Sequence, residues 1–124
     1  MPFSYICLMV AMALPYLWVA LSKARPGYNN HAPRVTLERS DGWRQRANWA
    51  QLNAFEAFPP FAAAVIIANS QPVSTSTVNL LAGAFIVCRI LHGLLYIADQ
   101  ATLRSIIWAG GFGCVIGLFI VSFA

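Results

Sequence analysis

The stretch RANWAQLNAFEAFPP, residues 46–60, sets Arg46, Trp49, Asn53 and Glu56 at intervals of three and four in an otherwise apolar run. At 100° per residue these four fall within one narrow arc of a helix. A second run, CRILHGLLYIAD, repeats the spacing with Arg89, His92 and Tyr96, and a third, ATLRSIIWAGG, adds Arg104. Charged side chains in a membrane helix cost about 2.5–3.5 kcal/mol each on insertion scales, so they pair or line a watery cavity. Two readings follow. In one, the group is a buried network: Glu56 pairs with Arg89 or with an arginine of a neighbouring subunit, and Asn53 and Tyr96 tie helices together. In the other it is a ligand cleft. Three arginines and a histidine against one glutamate leave a cationic excess, which asks for an anion. A small amphipathic molecule with amino-acid character fits, its carboxylates on the arginines and its amine on Glu56.

The elements that must position these residues are membrane spans. The chain has 124 residues, 59% of them hydrophobic and 10% charged, with a mean hydropathy of +0.64. A solvated surface around a soluble core cannot be built from that composition. A bilayer crossing takes ~20 mostly apolar residues, and four stretches qualify: 3–22, 47–69, 77–98 and 103–123. They use nearly all of the chain, so one all-α, four-helix membrane domain is expected over residues 1–124. The first stretch lacks a basic leader and runs into Lys23 and Arg25, which reads as a retained helix rather than a signal peptide. Pro15 and the pair Pro59 and Pro60 predict bends in the first two spans. Ser40 or Asp41 is placed to cap the second, and Gly113 and Gly117 form a GxxxG spacing that would allow close helix packing.

Charge sets the orientation. Six of the eight Lys and Arg residues (Lys23, Arg25, Arg34, Arg39, Arg44 and Arg46) lie in or beside the first loop, and Arg89 and Arg104 flank the third. The second loop and both ends of the chain carry no charged side chain. The positive-inside rule puts loops one and three in the cytoplasm and both termini on the opposite side. Polar residues on the second, third and fourth spans therefore share the cytoplasmic half. The net charge of +4 serves topology and attraction to acidic lipid or an anionic ligand; no aromatic-and-basic motif points to nucleic acid. Cys7, Cys88 and Cys114 are odd in number, widely spaced and set among apolar neighbours, as packing residues are, so no metal site is expected. A small multidrug exporter fits poorly, since Glu56 stands among cations rather than alone in an apolar cavity. A Ser-His-Asp hydrolase lacks its nucleophile elbow.

The chain resembles the MAPEG family, the membrane-associated proteins of eicosanoid and glutathione metabolism, and within it the small bacterial branch. The similarity rests on YNNHAPR in the first loop, on RANWAQLNAFEAFPPF with its Asn-x-x-Glu-x-x-Pro core, and on RILHGLLYIADQATLRSIIW across the third and fourth spans. The resemblance implies a homotrimer of four-helix protomers in a bacterial inner membrane, in contact with membrane lipids. A cleft between subunits would open to the cytoplasm and take glutathione as co-substrate and a hydrophobic small molecule from the bilayer. Carried over by motif, Asn53 and Glu56 would bind the peptide backbone, with Glu56 taking its amino group. Arg46, Arg89 and His92 complete the binding set, and Arg104 and Tyr96 are the candidate catalytic residues, Arg104 beside the sulfur. The activity implied is that of a glutathione transferase or peroxidase. A non-catalytic protein of the same fold, binding a lipid or amphipathic ligand or serving as an accessory subunit, is the alternative. At two positions the chain differs from the glutathione users: Trp49 stands where an arginine is usual, and His92 where a tyrosine is.

Overall fold

The computed structural model describes residues 2–24 and 27–124; Arg25, one of the first-loop cations, lies outside the described residues. Five helices follow one another: α1 (Phe3–Lys23), α2 (Pro33–Glu38), α3 (Gly42–Ser70), α4 (Thr75–Ile97) and α5 (Ala101–Phe123), with no strand among the described residues. Four of them, α1, α3, α4 and α5, are long and apolar enough to cross a membrane. Short connections of residues 71–74 and 98–100 make α3, α4 and α5 antiparallel neighbours, while a longer loop holding α2 returns the chain from α1 to α3.

Small residues bring the helices together. Ala47, Ala50, Ala54, Ala64 and Ala68 of α3 are all buried, which lets α1 and α4 approach its backbone closely. The far half of the bundle is a core of Cys7, Ala11, Phe61, Val65, Val78, Phe85, Val115 and Leu118, with the Phe61 and Phe85 rings stacked at 3.9 Å. A smaller cluster of Leu14, Trp18, Ala50 and Ala54 fills the near half. Gly93 is required there. A Cβ at that position would run into the Trp18 indole. Outward faces stay apolar, with Leu80 72% and Phe123 75% exposed, as lipid or a neighbouring protomer would require.

Several local features refine the sequence reading. α3 begins at Gly42, five residues before the expected apolar span, and its 29 residues extend about 44 Å at 1.5 Å per residue. Its first turns therefore stand beyond a ~30 Å hydrocarbon layer. Asp41 occupies its N-cap position but makes no side-chain cap bond, while Ser40 Oγ donates back to the Thr36 carbonyl. The loop holds a short helix, α2, with proline in its first turn and Leu37 buried. Within the protomer the GxxxG pair is only half used. A Cβ on Gly113 would meet nothing, whereas Gly110, Gly111 and Gly117 face Cys88, Phe85 and Leu81 of α4. Contact runs along the i, i+7 row, because that row rather than Gly113 faces the neighbouring helix.

Each end of the bundle is tied by polar bonds. At the far end Asn69 Nδ2 donates to Ser4 Oγ at 3.0 Å, and the Ser4 amide donates to Asn79 Oδ1 at 3.1 Å, joining α3, α1 and α4. At the near end Ser22 Oγ donates to the Arg44 carbonyl at 2.8 Å.

Candidate functional site

Beside the smaller apolar cluster, at the level of Ala50, Ala54 and Trp18, lies a polar layer. Arg89 and His92 of α4 are 5% and 3% exposed, and four-residue spacing carries their face up to Tyr96 in the last turn. α4 then stops abruptly. The Asp99 amide donates to the Tyr96 carbonyl and the Gln100 amide to the Leu95 carbonyl, with Asp99 at φ 60°. This is a Schellman closure with aspartate in the left-handed position, one of the few side chains that tolerate it. Because the turn is so tight, Arg104 in the first turn of α5 returns to the height of Tyr96. Its guanidinium carbon lies 4.3 Å from the Tyr96 ring centroid, a cation–π contact that fixes the charge in place. His92 meets the same ring edge-on at 5.6 Å.

The arc predicted on α3 faces this layer, and its four residues make four different arrangements. Arg46 Nε donates to the Ile97 carbonyl at 3.0 Å, satisfying an open acceptor at the C-terminus of α4. Trp49 packs on Tyr96, ring centroids 6.2 Å apart. Asn53 Oδ1 accepts a 2.7 Å hydrogen bond from Arg89 Nη2. Glu56 is exposed and makes no ion pair among the described residues. The pairing of Glu56 with Arg89 that the sequence allows is absent.

Two adjoining cavities open on these residues. One, of about 160 Å³, lies between α3, α4 and α5 with Asn53, Glu56, Pro60, Arg89, Trp108 and Gly111 in its walls. The other, of about 200 Å³, is walled by Asn53, His92, Tyr96, Arg104, Ser105 and Trp108. Asn53 and Trp108 belong to both, so the two lie on either side of a shared wall, one bordered by the Glu56 carboxylate and the other by the Arg104 guanidinium, and together they make up the cleft. Of the seven candidate residues, six line this cleft: Asn53, Glu56, Arg89, His92, Tyr96 and Arg104. Arg46 does not. His92 Nδ1 is buried with no hydrogen-bond partner among the described residues, and a buried polar atom of that kind is costly unless something else meets it. Trp108, stacked on Phe112 at 5.3 Å, was missed by sequence reasoning, although it stands one turn beyond Arg104 on the same face. Pro60 and Gly111 are likewise cleft walls that carry no polar signal.

Four membrane-length helices with a charged cleft in one half of the bundle define an integral membrane protein. The chain belongs to the MAPEG family, whose family model matches residues 3–124. No curated protein and no solved structure shows significant similarity to it.

Proposed function

We propose that this protein is a membrane-embedded glutathione transferase or peroxidase-like protein acting on lipophilic electrophiles. The observation that carries the reading is the segregation of charge in the cleft. Arg89 is engaged by a neutral side chain and Arg104 by an aromatic face, while Glu56 pairs with no cation among the described residues. A zwitterionic peptide complements that layout: its carboxylates go to Arg89 and Arg104, and its amine to Glu56. Bound glutathione would supply a thiol as the nucleophile. Arg104 would favour the thiolate by placing a fixed positive charge beside the sulfur. Glu56 and Asn53 would orient the peptide, Tyr96 would hold the Arg104 guanidinium, and Trp108 and Phe112 would wall the approach from the bilayer. Family membership supports a homotrimer, in which a second copy would cover the exposed Glu56 side of α3; the motif resemblance to the small bacterial branch supports a bacterial inner membrane, and the clustering of Lys and Arg supports loops one and three in the cytoplasm.

A non-catalytic binder of an amphipathic ligand is the second reading. It is favoured by Arg46, whose guanidinium is held by the Ile97 carbonyl, and by Trp49, which fills the place of an expected cation with a ring packed on Tyr96. Titration of the purified protein with glutathione, followed by the ultraviolet absorbance of bound thiolate, separates the two. Saturable thiolate absorbance supports the enzyme reading. Neither binding nor absorbance at millimolar glutathione would remove it.

A further inference from the structure

The residues just past Glu56 are Pro59 and Pro60, both inside α3. In a helix the carbonyl of residue i accepts from the amide of i+4, or of i+3 where the turn tightens. For Glu56 those two positions are the two prolines, and neither has an N–H. The next amide, that of Phe61, is in register for the Ala57 carbonyl. Phe55 differs: it loses Pro59 but keeps the amide of Phe58 at i+3. The Glu56 carbonyl is therefore the acceptor that the double proline deprives of both regular donors. The pyrrolidine ring also presses on the carbonyl four residues back and turns it away from the helix axis.

Glu56 and Pro60 are four apart, so they share a face, and both line the cavity between α3, α4 and α5. The Glu56 carboxylate makes no ion pair among the described residues. One residue thus carries two oxygen acceptors, side chain and backbone, at the wall of a small cavity whose other walls include Phe85, Trp108 and Phe112. The cation across from it, Arg89, donates to Asn53 instead. At membrane depth such acceptors need an internal partner. A protonated primary amine carries one charge and three N–H donors, enough to meet both oxygens.

We propose that Pro60 makes the backbone carbonyl of Glu56 a second acceptor, beside its carboxylate, for the ammonium group of a primary-amine ligand in this cleft. The inference rests on the cleft being a ligand site and names the group it selects: an ammonium with N–H donors, in preference to a quaternary ammonium or a ligand without the amine.

The test uses the full-length protein in nanodiscs, as wild type, P60A and P59A. Two probe pairs are titrated: glutathione against its analogue lacking the amino group, and decylammonium against decyltrimethylammonium, which has the charge but no N–H. Wild type should prefer the first member of each pair. P60A returns an amide to the Glu56 carbonyl, and both preferences should fall about tenfold or more, the scale of one hydrogen bond to a charged group. P59A returns an amide in register for Phe55 and only at the secondary i+3 position of Glu56, so both preferences should fall less than in P60A. Should P60A lose its thermal transition, P60S supplies the same amide and replaces it. Unchanged preferences in P60A, or no preference for decylammonium in wild type, would overturn the proposal. If glutathione binds neither protein while the alkylammonium preference disappears in P60A, the ammonium seat stands and the glutathione reading falls.

Discussion

Arg89 Nη2 and Asn53 Oδ1 are 2.7 Å apart, so the most deeply placed guanidinium of the bundle is held by a neutral amide and not by a carboxylate. That bond joins α4 to α3 in the middle of the polar layer. Asn53→Leu removes the acceptor and leaves a buried cation short of a partner, which should cost about 3 kcal/mol. Asn53→Asp keeps an acceptor and should unfold close to the wild-type temperature. Thermal unfolding in detergent reads both, and an unchanged transition in Asn53→Leu would show that Arg89 does not depend on this bond.

Glu56 and Arg104 border different cavities of the cleft and should fail differently. Glu56→Gln should weaken glutathione binding about tenfold or more, the loss of a charge-assisted contact, and leave the thiolate absorbance of the bound fraction intact. Arg104→Ala should abolish that absorbance with binding changed only a few-fold. Equal and mild effects from both would assign the cluster to structure.

Tyr96 holds Arg104 by its ring face, which separates the role of the ring from that of the hydroxyl. Tyr96→Phe keeps the ring and should keep the thiolate signal, whereas Tyr96→Leu should lose most of it. Loss in Tyr96→Phe would instead make the hydroxyl the active group.

Gly93 lies under the Trp18 indole, with no room for a Cβ. Gly93→Ala should destabilise the fold by about 1–3 kcal/mol, as overpacking of a core does. Trp18→Leu in the same chain should return part of that loss, giving a coupling energy well away from additivity. Chemical unfolding of the four proteins of the cycle measures it.

Orientation is checked by labelling. In a background with Cys7, Cys88 and Cys114 replaced, a cysteine at Tyr28 should react with a membrane-impermeant maleimide only from the cytoplasmic side, and one at Gln71 only from the other. The reverse pattern would place the cleft on the far face of the membrane.

The register of the site was legible because a helix has a fixed period: Asn53, Glu56, Arg89, His92 and Tyr96 reach one layer from spacing alone. Arg104 was legible from its place in the first turn of the fourth span. Partners were less so. Arg46 shares the arc of Asn53, yet its long side chain reaches the Ile97 carbonyl, an acceptor that exists only because α4 ends there. Sequence could not weigh Asn53 against Glu56 for Arg89, since both sit within a turn of each other and the choice depends on how α4 is rotated. Trp108 and Gly111 looked like ordinary apolar span residues until α5 was set against the cleft. α2 was hidden because six residues carry too little periodicity to stand out in a turn-rich loop.

The far end of the bundle has its own consequence. Ser4, Asn69 and Asn79 belong to the first, second and third spans, and their two hydrogen bonds lie at the face away from the cleft. Neither bond exists in a chain that has threaded only its first span, and the pair is completed only when the third has followed. The triad therefore pins three spans at one face of the bundle, and because helices are stiff rods of fixed rise, that anchor also limits how far Asn53 and Arg89 can slide past each other nearer the other face.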